Sequence, residues 1–297
     1  MRSTVPIIGL LGATALAPTS LIGAADAGVI RHDRDDSLYT ALAAQSEFDP
    51  NVLLTIGGGG TCSGTLIGGE WVLTAAHCFD GQADPRVNAG SMANGFEIIG
   101  SEEVIVHPDW QRGDFTGGAD LALVKLSTPF QTIGSASLFS GTDEIGRTGT
   151  SVGWGRTGDG LTGFTDPSGT KRAGTNTIDA LGSDRGWDES ILITDFDNPL
   201  DPGDSTYASA IPTDLEIQVA PGDSGGSLFV EVDGEMRLAG ITSFINVIDG
   251  SPDGDYGEMS AYTRVSAYED WIRSTIPAPA TLAPLAVGVG ALSRRRR

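Results

Sequence analysis

The stretch Trp71-Val72-Leu73-Thr74-Ala75-Ala76-His77-Cys78 decides how the rest of the chain is read. Its first four residues have the apolar, β-favouring character of a strand, and the run stops at a histidine held beside a cysteine. Working outward, short apolar or alternating runs recur at residues 52–56, 64–67, 97–107, 121–126 and 151–154, separated by Gly, Pro, Asn and Asp. A second set occupies residues 191–194, 216–219, 227–232, 236–244 and 261–265. The Gly- and Asp-rich segments 157–163 and 197–205 read as loops between them. With 42 glycines and few stretches of helical period, the pattern predicts an all-β architecture. Val265, Tyr268, Trp271 and Ile272 follow a spacing of three and four, which predicts one amphipathic helix closing the domain against its core. There is no fixed-period repeat and no coiled-coil heptad.

The 297 residues suffice for one large domain or two small ones. A formal net charge of −21 excludes nucleic acid as a natural partner and fits a soluble extracellular protein. Two cysteines, Cys62 and Cys78, exclude both a disulfide-rich scaffold and a four-ligand zinc framework. One bridge between them is the expectation, and it calls for an oxidising compartment. No cofactor and no metal is called for. Asp195, Asp197, Asp201 and Asp204, and separately Asp249, Asp253, Asp255 and Glu258, are read as solvated acidic loops because neither follows the EF-hand pattern.

Both ends read as addresses. Met1-Arg2, the apolar run 5–17 and Ala25-Asp26-Ala27 have the order of a secretory signal peptide, so residues 1–27 are expected to be removed and the mature chain to begin near Gly28. At the other end, Pro277-Ala278-Pro279, an apolar stretch and Arg294 to Arg297 form a tail over residues 277–297. Residues 278–293 would span about 24 Å as a helix, short of a ~30 Å hydrocarbon core. The tail resembles the PEP-CTERM sorting signals of Gram-negative-type bacteria, although Ala278 stands where that family has glutamate. That resemblance implies recognition by sorting machinery and transient membrane contact through residues 280–293; a weak transmembrane anchor is the alternative.

Between these ends lie the residues that carry chemistry. Hydrolysis of an amide needs a nucleophile, a base, a group that holds the base in one tautomer, and donors for the oxyanion. His77 closes the strand quoted above. Asp120 stands directly before the hydrophobic run 121–126, where a carboxylate requires a partner. Gly222-Asp223-Ser224-Gly225-Gly226 sets a serine among glycines, so that backbone amides can approach a carbonyl and the hydroxyl stands clear.

Residues 74–78, 120–126, 222–226 and Gly153-Trp154-Gly155 together resemble the trypsin-like serine peptidases, which carry His, Asp and Ser in this order. The resemblance covers residues 28–276 and implies two six-stranded antiparallel β-barrels, about 28–150 and 151–276, with the active site between them and a C-terminal helix. It implies that Ser224 attacks, His77 is general base then acid, Asp120 orients it, and the amides of Gly222 and Ser224 hold the oxyanion. It also implies the Cys62–Cys78 bridge and protein or peptide substrates. Gln218 falls at the base of the primary pocket, so a preference for Arg or Lys is not expected. The strand Ser243-Phe244-Ile245 would pair with substrate backbone, with Ile245 narrowing the mouth and Ser260 on the facing wall, which favours small or medium uncharged side chains. Asp223 would pair with a new N-terminus, for which Gly28-Val29-Ile30 is the natural candidate. Ala220 and Ser227 depart from the family pattern, and residues 157–210 match it poorly. A non-catalytic surface binding module of the same fold and a serine esterase are the competing readings.

Overall fold

The computed structural model describes residues 28–277 except 58, 82–86, 92–94, 96, 208, 249 and 252. The expected signal peptide, the expected tail after residue 277 and Asp249 therefore lie outside the described residues.

Six antiparallel strands close into a barrel, in the spatial order Asn51–Ile56, Gly60–Gly68, Trp71–Thr74, Ala122–Leu126, Glu97–Val106 and Val87–Ser91. Side chains alternate along a strand, and here both alternating faces are apolar for a reason. Val72, Ala122, Val124 and Leu126 point into the barrel with Val52, Leu54 and Leu66. Trp71, Leu73, Leu121 and Leu123 point the other way, into a second core shared with Phe48, Val152, Phe229, Leu238, Ile241, Val265 and Ile272. That shared layer joins the barrel to the C-terminal half, and burial of such side chains contributes about 1.5–3 kcal/mol each.

The C-terminal half is an eight-stranded sheet. Its main path runs Arg172–Thr177, Thr148–Gly153, Ser227–Val232, Glu235–Asn246, Met259–Arg264, Ile191–Asp195 and Ala180–Leu181, with Ser137–Leu138 added in parallel to Glu235–Asn246. The first half matches the expected six-stranded barrel, whereas the second is a curled half-barrel with more strands. Three of its strands, Arg172–Thr177, Ala180–Leu181 and Ile191–Asp195, come from the region between residues 157 and 210, and Ser137–Leu138 is added from the segment before it. Its curl brings the edge strand Arg172–Thr177 back toward Ile191–Asp195, where Asn176 Nδ2 donates to the Asp195 carbonyl at 2.6 Å.

Part of the segment expected as loop, residues 157–163, forms strand instead. Thr157–Asp159 and Gly163–Asp166 make a hairpin, and Gly28–Ile30 adds to it in parallel while pairing antiparallel with Ile217–Gln218. Val29 is fully buried there against Phe196 and Ala220. The closing helix forms as a 3-10 turn, Val265–Tyr268, followed by Glu269–Thr275, with Val265 and Ile272 buried. A helix that periodicity did not flag, Asp36–Ala43, is capped by the Asp35 carboxylate accepting from the Ser37 amide at 2.8 Å. Among the described residues no helix is long and apolar enough to cross a membrane.

Candidate active site

Thr74 and Ala122 are partners in one ladder, so the chain leaves two adjacent strands at the same end, His77 from one and Asp120 from the other. The Cys62–Cys78 disulfide forms, as expected, and pins the turn that carries His77 to the neighbouring strand. Closing a 16-residue separation contributes about 3 kcal/mol by chain entropy. Ala119, ahead of Asp120, holds the left-handed φ of 59°. Its amide donates to the Tyr268 hydroxyl at 2.6 Å, which in turn shares a hydrogen bond with Ser190 Oγ at 2.8 Å. The closing helix thereby fixes the backbone that aims Asp120.

The Asp120 carboxylate is completely buried and accepts three hydrogen bonds. Its Oδ1 takes the His77 backbone N–H at 2.9 Å, and its Oδ2 takes His77 Nδ1–H at 2.7 Å and the Ser243 hydroxyl at 2.5 Å. With Nδ1 donating, the far nitrogen Nε2 is left to accept, and Ser224 Oγ lies 2.8 Å from it. Serine, imidazole and carboxylate thus stand in one row, in the tautomer that lets the imidazole take the serine proton.

Ser224 sits where the two halves meet. Its carbonyl accepts from the Ser63 amide at 2.7 Å, and the Gly222 carbonyl accepts from Ser63 Oγ at 3.0 Å. Gly225 has φ of 80°, and a Cβ on it would fall 2.0 Å from Thr74 Oγ1, so only glycine lets the loop come this close to the barrel. Gly222 has φ of 103°. Among the described residues no backbone carbonyl takes the amide of Gly222 or of Ser224. Asp223, between them, turns inward. Its carboxylate is buried and accepts from the amides of Gly155 at 2.8 Å, Ala220 at 2.9 Å and Gly28. Burial pushes it up to about 6, against the pull of those amides and of the Arg172 charge.

The pocket residues read from sequence also gather here, in part differently. Gln218 and Ser260 are both fully buried, and Ser260 Oγ donates to Gln218 Oε1 at 2.5 Å. Ile245 packs on a cluster that includes Val219, Leu192, Leu228 and Tyr262. Ser243, read as part of the substrate-pairing strand, is buried and turns its hydroxyl to Asp120, so its side chain serves the carboxylate. Phe244 belongs to an aromatic shelf that sequence reasoning missed: its ring lies 5.8 Å from Phe115 and 5.2 Å from Trp187, and Phe115 meets the His77 ring edge-on at 5.3 Å. Isolated aromatics in loops carry no periodic signal that would have exposed this. Asp195, Asp197 and Glu258, expected as solvated loop acids, are instead buried, and the carboxylates of Asp253, Asp255 and Glu258 lie within 4.8 Å of one another.

The model of the family described as Trypsin matches residues 41–272. The chain belongs to the trypsin family. It is 31% identical over 228 residues to chymotrypsin-like elastase family member 1 of Bos taurus, covering 73% of this chain and 79% of that protein. The same protein of Macaca fascicularis is 29% identical over 229 residues. Complement C1s subcomponent of Sus scrofa is 31% identical over 244 residues, 72% of this chain but only 32% of that longer protein. The trypsin-family match contains His77, Asp120 and Ser224, and at the level of that family the chain is a serine endopeptidase.

Proposed function

We propose that this chain hydrolyses peptide bonds through an acyl-enzyme on Ser224. The observation that carries this reading is the uninterrupted row from Ser224 Oγ through the His77 ring to a buried Asp120, at 2.8 and 2.7 Å. Ser224 attacks the scissile carbonyl as its proton passes to His77 Nε2, and the carboxylate of Asp120 stabilises the imidazolium so formed. The amides of Gly222 and Ser224 receive the oxyanion; one such donor is worth about 10²–10³ in rate. His77 then returns the proton to the leaving amine, and water repeats the sequence on the ester.

Small or medium uncharged side chains at the cleavage site are favoured by two features. Gln218 offers no charge to a basic side chain, and Ile245 stands where the family resemblance places the pocket mouth. Export is supported by the order of residues 1–27 and by the disulfide, which persists in oxidising compartments. Processing before Gly28 would place an ammonium beside Asp223, and the C-terminal residues would be handled by sorting machinery at the membrane. The test is mass spectrometry of the processed protein before and after an organofluorophosphonate, with Ser224→Ala as control, followed by matched peptide and ester substrates. A single adduct on Ser224 together with peptide turnover is expected; a folded protein that takes no adduct refutes the proposal.

A further inference from the structure

Arg172 pairs with Gly153 across an antiparallel ladder, and residues directly opposite in such a ladder project to the same face. On that face lies the Asp223 carboxylate: a Cβ on Gly153 would fall 2.1 Å from Asp223 Oδ1. Arg172, Asp223 and Gly28 line one cavity of about 10 Å³, room for a single water at most. Arg172 is 1% exposed, and its Nε and Nη2 hold the Asp36 carboxylate at 2.5 and 2.6 Å. Asp36 is itself half exposed, so water shares its charge, whereas the space between Arg172 and Asp223 admits almost none. The other titratable groups around Asp223 are the buried Tyr262 phenol, bonded to Ser151 Oγ at 2.6 Å, and whatever charge Gly28 carries.

We infer that Arg172 is a positioning residue that supplies Asp223 with a resident positive charge, so that the loop bearing Gly222 and Ser224 stays assembled even when Gly28 carries an uncharged peptide nitrogen. This rests on the peptidase reading. A peptide N–H at residue 28 donates the same hydrogen bond to Asp223 as an ammonium would, and lacks only the charge. A guanidinium stays protonated across the whole working range, whereas an α-ammonium titrates near pH 8. The oxyanion loop therefore holds without N-terminal trimming and above the pH at which a terminal amine deprotonates. The alternative role for Arg172 is a mechanical one, clamping the Asp36–Ala43 helix to the sheet.

The test compares the chain beginning at Gly28 with one in which two alanines precede Gly28, each with Arg172, Arg172→Met, Arg172→Lys or Asp36→Asn. Two readouts are taken from pH 7 to 10: the rate of Ser224 phosphonylation and hydrogen exchange over residues 220–226. The extended chain with Arg172 should label within about threefold of the unextended one across this range, the residual factor being the charge contribution of the terminus. Arg172→Met in the extended chain should lose about tenfold or more and expose residues 220–226, because a buried carboxylate is left without its cation. Arg172→Lys should restore both readouts, and Asp36→Asn should lower neither. The inference is overturned if the extended chain loses labelling and protection with Arg172 in place, or if Asp36→Asn matches Arg172→Met, which would make the arginine only a helix clamp. A chain that never labels yet shows the expected pattern of protection upholds the inference and refutes the peptidase reading.

Discussion

Replacing Asp120 by asparagine exchanges one acceptor oxygen for an NH₂ at a site where three donors converge. Two orientations of the amide are open. If the NH₂ takes the place of Oδ1, it faces the His77 backbone N–H, and two buried donors meet; stranding one costs about 1–3 kcal/mol. If it takes the place of Oδ2, the Ser243 hydroxyl can turn to accept one hydrogen and His77 Nδ1 the other, and every group is satisfied. The second orientation wins, and it forces the imidazole proton onto Nε2, facing Ser224 Oγ, where no proton can be accepted. The penalty of about 1–3 kcal/mol leaves the productive tautomer at roughly one part in 5 to 150. The imidazolium also loses its counter-charge, so kcat/KM for a small-residue peptide anilide should fall by about 10²–10⁴. Circular dichroism and the thermal midpoint should remain close to those of the parent, because the favoured orientation of the amide leaves every buried group satisfied. A folded Asp120→Asn protein within tenfold of parental kcat/KM would refute the tautomer argument.

Two predictions concern stability. Glu144 is fully buried and takes Arg264 in a two-point contact at 2.8 and 2.6 Å, with Ser266 Oγ at 2.8 Å, so Glu144→Ala should cost about 3–5 kcal/mol in urea unfolding, and Glu144→Leu with Arg264→Leu should recover most of it. Burial pushes Glu216 up to about 8 and Asp197 up to about 6, despite the hydrogen bonds Glu216 accepts from the Asp197 and Thr213 amides at 2.7 and 2.5 Å. Because these folded values lie above the unfolded ones near 4, the folded state binds more protons; the stabilisation is complete below about pH 4 and is lost as pH rises toward 8. The thermal midpoint should therefore fall between pH 5 and 8.5, and Glu216→Gln should flatten that slope; an unchanged slope would remove Glu216 as its source.

Much of the β architecture was legible because strands buried on both faces read as continuous apolar runs, as residues 71–74 and 121–126 do. Val87–Ser91 was not, since Val-Asn-Ala-Gly-Ser has neither alternation nor bulk, yet it completes the barrel between Asn51–Ile56 and Glu97–Val106. Of the two Gly-Asp segments read as loops, residues 197–205 contain no strand, whereas residues 157–163 enter a hairpin to which Gly28–Ile30, more than a hundred residues away, adds a partner strand. Asp36–Ala43 was missed because its apolar stripe is narrow, with only Tyr39 and Ala43 buried.

The sequence by itself determined which residues are candidates for chemistry, since a histidine beside a strand-end cysteine, an aspartate at the mouth of an apolar run and a serine among glycines are local signals. The closing helix was equally local, because its stripe is a matter of spacing. Only the tertiary structure decided that Ser243 completes the hydrogen bonds of Asp120, that Tyr268 aims it, that Phe115 and Trp187 flank Phe244, and that Arg172 and Asp223 line one small cavity. Those contacts join residues from separate strands, helix and loop, and they depend on ladder register and on the packing of one half against the other, which leave no mark in any short stretch of the chain.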